Sequence, residues 1–114
     1  MKRFPSIKKN EEFQRIYKKA DSRDNRQLVM YVAQTDHPAN RIGISVSKKV
    51  GNSVVRHRLT RLLRECFRLH DDALMTGLDI VVVARPASKE ADYKTIERAY
   101  LHLCGLHNIF KESK

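Results

Sequence analysis

Ser53-Val54-Val55-Arg56-His57-Arg58-Leu59-Thr60-Arg61-Leu62-Leu63-Arg64-Glu65-Cys66-Phe67-Arg68-Leu69-His70 is the stretch whose period decides the fold. At about 100° per residue, Val55, Leu59, Leu62, Leu63 and Cys66 fall on one side of a helix, with Phe67 near the boundary. His57, Thr60, Arg61, Arg64 and Arg68 point the other way, and Arg56 and Arg58 flank them. Asn52 or Ser53 is suited to cap the first turn, and the pattern runs to about Leu69 or His70. One face can bury against other elements while the opposite face presents a row of guanidiniums.

Outward from this helix the period changes. Towards the N-terminus, residues 41–47 alternate Ile42, Ile44 and Val46 with Gly43, Ser45 and Ser47, a strand with one small, polar face. Leu28, Met30 and Val32 alternate with Val29, Tyr31 and Ala33, a strand with both faces at least partly covered; the two strands are expected to form an antiparallel hairpin. Residues 35–40, with Pro38, make the loop between them, and residues 21–26 a polar turn. Asn10 is the expected cap of a first helix, with Glu11 and Glu12 in its first turn and Phe13, Ile16, Tyr17 and Ala20 on one face. Towards the C-terminus, residues 71–77 form a loop. Leu78 to Ala84 is a β-branched run of the kind found in buried central strands, ended by Pro86. From about Asp92, Ile96, Ala99, Leu103 and Leu106 mark a last helix, with Gly105 as a weak spot, and residues 111–114 form a frayed polar tail. The expected class is α+β, helices layered on a sheet, in a single domain covering 1–114.

The chain has 114 residues and 23 Lys plus Arg against 13 Asp plus Glu, a formal charge of +10. So large an excess on a small domain suits a polyanionic partner, nucleic acid before acidic membrane. Residues 48–68 carry Lys48, Lys49, Arg56, Arg58, Arg61, Arg64 and Arg68 against Glu65 alone. Solvated cationic faces usually intersperse acids for i, i+4 pairing, and this one does not. Arginine also grips phosphate oxygens in pairs, which lysine does not. Lys48, Lys49 and the flexible Gly51 lead into a helix N-terminus whose free amides favour anions, extending the basic surface.

Other chemistries find no support. Cys66 and Cys104 stand apart in apolar helical patterns, excluding a CxxC motif and reading as buried hydrophobes. His102, Cys104 and His107 diverge on their helix, where metal pairs need i, i+3 or i+4 spacing. His37 and His70 have no partner in the pattern, and Asp71 and Asp72, which could hold a metal, read as solvated acids after a helix. No catalytic residues and no metal ligands are expected in the protein. Lys2 and Arg3 precede no apolar signal segment, and Asp79 interrupts the longest aliphatic run, so a cytoplasmic chain is expected, with no membrane contact.

Residues 47–65 resemble the signature of the bacterial ribonuclease P protein family: a lysine, a short gap, a glycine, a small residue and valine, then Arg-Asn-Arg, a basic pair, and Arg-Glu one turn on. Lys48, Lys49, Gly51, Ser53, Val54, Arg56, Arg58, Arg61, Arg64 and Glu65 fit it. His57 stands where Asn is usual and Thr60 where Lys is usual. Residues 7–13, 41–47 and 80–86 are similar to the family's first-helix opening, its strand before the signature, and its buried strand with the following turn.

The resemblance implies a compact α-β sandwich, ordered helix, strand, strand, short strand, helix, strand, helix, with a left-handed crossover between parallel strands. It implies a protein subunit that binds a catalytic RNA subunit through Lys48, Lys49, Asn52, Arg56, His57, Arg58, Arg61, Arg64 and Arg68. It places Phe13, Tyr17 and Tyr31 against the single-stranded 5′ leader of precursor tRNA, where aromatic faces stack on bases of any sequence. The RNA cuts the leader, with divalent metal (Mg2+) held mainly by that RNA and no protein partner required. From the residues alone, a ribosomal or assembly protein using the same helix on structured RNA stays open. An autonomous nuclease lacks a catalytic constellation, and a helix-turn-helix reader is disfavoured because two strands separate the first helix from the basic one.

Overall fold

The structure is a computed structural model and describes residues 6–111. The basic start at Lys2 and Arg3 and the tail beyond Lys111 lie outside the described residues. The elements run α1 (Asn10–Lys19), β1 (Asp21–Asp24), β2 (Leu28–Gln34), β3 (Arg41–Ser45), α2 (Ser53–His70), β4 (Leu78–Ala84) and α3 (Tyr93–Leu106). Single 3-10 turns follow α2 at Asp71–Ala73 and β4 at Pro86–Ser88. The four strands form one sheet ordered β1-β2-β4-β3.

The hairpin expected between β2 and β3 does not form. β4 lies between them, antiparallel to β2 with Leu28 opposite Ala84, and parallel to β3 with Ile42 opposite Ile80. The reason is burial: every residue of β4 except Val83 is buried, and a strand apolar on both faces needs a neighbour on each edge. β3, half-exposed at three of its five residues, takes the sheet edge, and β2 lies between β4 and the short β1. β3, α2 and β4 consequently make a parallel βαβ unit.

The polar turn expected at 21–26 is also corrected. Asp21–Asp24 is a strand paired antiparallel with β2, Asp21 opposite Val32, so the short strand precedes the two longer ones rather than following them. All four of its residues are exposed; backbone pairing, not side-chain burial, makes it a strand. The turn proper is 25–27, where the Asn25 side chain accepts hydrogen bonds from the amides of Gln27 and Leu28 at 3.2 and 3.0 Å. Asn10 is the first helical residue of α1, and Lys9 occupies the cap position without a side-chain bond.

The sheet is covered on both faces. Leu28, Met30, Ile42, Ile80 and Val82 point to the side on which α2 and α3 pack, meeting Leu59, Leu63, Cys66 and Phe67 of α2 and Ile96, Tyr100 and Leu103 of α3. Phe67, placed by period near the boundary, is fully buried, because α3 covers the flank that the α2 pattern alone leaves open. Val81 points the other way, towards Ile16 of α1 and towards Ile7 ahead of that helix. Cys66 and Cys104 are unpaired and buried. Burial pushes the Cys66 thiol up to about 11 and that of Cys104 to about 12, so both stay protonated and inert near neutrality.

The loops that start the parallel strands are tied together by Asn40. Its side-chain amide donates to Asp71 and to the Met75 carbonyl, both at 2.8 Å, and its oxygen accepts from the Leu78 amide at 2.9 Å. Asp71 is thus spent on holding the α2–β4 connection against the start of β3.

Candidate RNA interface

The outward face of α2 carries the cations as its period requires. Asn52 caps the helix, its side-chain oxygen accepting from the Val55 amide at 3.0 Å. Ahead of it, a turn closed by the Val50 amide on the Ser47 carbonyl leaves Lys48 and Lys49 exposed while Val50 is buried as the anchor. His57, Arg61, Arg64 and Arg68 are exposed along the helix. Arg61 and Arg64 make no hydrogen bond or ion pair with any of the described residues. Arg68 pairs with Glu65, its Nε 3.1 Å from a carboxylate oxygen, which lowers the Glu65 pKa and raises that of Arg68. Both groups are about half exposed, and an ion pair so solvated binds weakly, so Arg68 stays open to exchange.

Arg56 and Arg58 flank the row but are already engaged. The Arg56 Nε donates to the Val46 carbonyl at 3.1 Å. The Arg58 guanidinium donates to the carbonyls of Lys89 and Ala91 at 2.5 and 2.6 Å, turning it towards the lead-in to α3. Thr60 donates back to the Arg56 carbonyl at 2.9 Å. Of the nine residues assigned to this surface by sequence, Lys48, Lys49, His57, Arg61, Arg64 and Arg68 present free side chains or solvated pairs, while Asn52, Arg56 and Arg58 also hold the local backbone.

A second surface lies on the opposite side of the sheet. Phe13 and Tyr17 of α1 and Tyr31 of β2 form a chain of half-buried rings, with centroids 6.2 Å apart for Phe13–Tyr17 and 4.8 Å for Tyr17–Tyr31. Burial raises the Tyr17 pKa, against the opposing hydrogen bond with Ser45. The Phe13 ring sits low because Gly43 lies beneath it: a Cβ there would come within 3.0 Å of that ring and 3.1 Å of Ile7.

Sequence reasoning missed what fixes this surface. Arg41 of β3 donates to both carboxylate oxygens of Asp79 at 2.8 Å each and to Glu12 of α1 at 2.9 Å. These bonds raise the Arg41 pKa and tie helix to sheet at the end where α1 begins. The signal was present: an acid inside an aliphatic central strand is almost never buried without a partner.

Three of the other histidines make side-chain contacts within the fold. His70 contacts Glu97 at 2.8 Å, His102 contacts the Asn25 amide at 3.1 Å, and His107 donates to the Met30 carbonyl at 2.9 Å. Among the described residues, no group of three or more His, Cys, Asp or Glu could hold a metal ion. No helix among them is long and apolar enough to cross a membrane.

A mixed sheet with an exposed arginine row on one side and an aromatic ledge on the other defines a small cationic α+β protein shaped to meet a polyanion. The Ribonuclease P family model matches residues 1–107. The ribonuclease P protein component of Lachnoclostridium phytofermentans is 51% identical over 109 residues, 96% of this chain and 94% of that protein. That of Brevibacillus brevis is 40% identical over 114 residues, 99% and 90% of the two chains. Among solved structures, the RNase P protein of Staphylococcus aureus superposes with a TM-score of 0.87 at 39% identity, covering 96% of this chain and 100% of that one. The RNase P protein of Thermotoga maritima gives 0.79 at 28% identity, covering 86% and 93%. The chain belongs to the ribonuclease P protein family.

Proposed function

We propose that this ribonuclease P protein binds the catalytic RNA subunit through α2 and its lead-in, and holds the 5′ leader of precursor tRNA on the ledge of Phe13, Tyr17 and Tyr31. In this way it promotes endonucleolytic removal of the leader in the cytoplasm, giving the mature 5′ end. Lys48, Lys49, Arg61, Arg64 and Arg68 supply phosphate contacts, His57 a hydrogen-bonding group among them, and Asn52, Arg56 and Arg58 hold the helix start and its flanks in place. No protein partner is needed. The divalent ions and bond cleavage belong with the RNA, as the family resemblance implies; the protein's part is binding and orientation.

The observation that carries this reading is the pairing of two faces on α2: Leu59 and Leu63 fully buried, and Arg61 and Arg64 exposed without a carboxylate among the described residues. Unpaired arginines spaced about 5–6 Å apart on one helix repel each other and are stabilised when phosphates lie across them. The test adds purified chain to bacterial ribonuclease P RNA at low magnesium and follows precursor tRNA cleavage. Stimulation is expected; cleavage without any RNA subunit, or no stimulation, rejects the proposal.

A further inference from the structure

Between α2 and the outer edge of β3 lies a groove of about 380 Å³. Its floor is aliphatic, made by Ile44 and Val46, both half-buried. The helix wall carries Arg61, Arg64 and His57, with the hydroxyl groups of Ser53 and Thr60 between them. Arg56 closes one end, held there by its bond to the Val46 carbonyl. No carboxylate is among its lining residues. β3 is the last strand of the sheet, and beyond its single bridge to Ser6 it has no further strand neighbour among the described residues, so the groove opens at the sheet edge. It lies across β3 from the aromatic ledge: Ile44 packs with the α2 side, whereas Gly43 underlies Phe13.

Two features have to be met by one occupant. A bare phosphate uses the arginines and wastes the aliphatic floor; an apolar ligand uses the floor and leaves the cations unmatched. A nucleotide whose base has left its stack has a flat apolar face, a polar edge and phosphates on either side, and RNA is read mainly at such splayed bases. We infer that the groove receives one unpaired base of the RNA subunit. The face of the base rests on Ile44 and Val46, its edge meets the hydroxyls of Ser53 and Thr60, and the flanking phosphates lie on Arg61 and Arg64. The inference rests on the proposed binding of α2 to that RNA and names what a row of charges alone does not supply, a point of register on the folded RNA.

The test uses the full chain assembled with ribonuclease P RNA in the absence of precursor tRNA. A photo-cross-linking residue at Ser53 is expected to join a single unpaired nucleotide; cross-links to paired strands, or scattered ones, overturn the inference. Replacing that nucleotide by an abasic residue should weaken binding of the unaltered protein roughly ten-fold, the scale of returning one apolar base face to water. Thr60→Trp, which fills the groove and keeps the cations, should cause a similar loss with the salt dependence unchanged, provided circular dichroism shows it folded. Undiminished affinity with the abasic RNA overturns the groove while sparing the arginine row. Undiminished affinity of the Arg61→Ala, Arg64→Ala variant instead overturns the reading beneath it.

Discussion

Arg41 holds Asp79 with two parallel hydrogen bonds of 2.8 Å, side chain to side chain, across neighbouring parallel strands. Asp79 is 6% exposed, so these bonds take the place of most of the water its carboxylate has left. Glu12 shares the guanidinium from above, which makes Arg41 the joint between sheet and α1. Arg41→Met should lower the free energy of unfolding by about 3–5 kcal/mol, the cost of stranding a buried charge. Arg41→Met combined with Asp79→Leu should recover most of that loss. Urea denaturation of the three variants checks it; strictly additive losses would mean the two residues are not coupled.

The arginine row should set the salt dependence of RNA binding. With about five phosphate contacts, log affinity should fall against log salt with a slope near −4, taking the duplex value per contact. Arg61→Ala with Arg64→Ala should flatten that slope by about 2 and leave the thermal midpoint within a degree or two, since both side chains are exposed. Filter binding across a salt series measures the first quantity and circular dichroism the second. A flat slope in the parent chain contradicts an electrostatic interface.

Leader binding should depend on ring faces rather than on the phenol. Tyr17→Ala in the reconstituted ribonucleoprotein should weaken binding of leader-bearing precursor tRNA by about 1–3 kcal/mol while binding of mature tRNA is unchanged. Tyr17→Phe should behave like the parent. Equal losses for precursor and mature tRNA would remove the ledge from any role with the leader.

His107 gives the fold a pH dependence whose sign is fixed by its burial. Desolvation lowers its pKa from the usual value near 6.5, the nearby Arg23 adding to this and the bond to the Met30 carbonyl opposing it. The unfolded chain therefore takes up this proton before the native one does. Stability is full above the unfolded pKa and falls as pH drops from about 6.5 towards the lower native value. The urea midpoint should drop between pH 7.5 and 5.5, and His107→Gln should remove part of that drop. The carboxylates whose pKa values are lowered, Glu65, Asp92 and Glu97, lose their contributions only in more acid solution and do not confuse the comparison.

The features legible in the sequence are those carried by side-chain period. The two faces of α2, a cap at Asn52 or Ser53, the central burial of β4 and the inert cysteines all follow from which residues recur at which spacing. Partner choice is different. Alternation in β2 and β3 says that each is a strand and nothing about whether β4 comes between them. β1 has no apolar residue, so no pattern announces it. On α2, period gives the direction of Arg58 but not the carbonyls of Lys89 and Ala91 that the lead-in to α3 brings within reach. The Arg41–Asp79 pair spans residues far apart in the chain, and only the parallel register of β3 and β4 makes them neighbours.

Gly43 has a mechanical consequence. The helix above it rides almost flush on the strand because one methyl group is missing there, and its backbone needs no unusual torsion to do so. Alanine would act as a shim, tilting α1 about its anchor at Arg41 and lifting the Phe13 end of the ledge away from Tyr31. The height of the ledge at Phe13 is thus set from below by bare peptide.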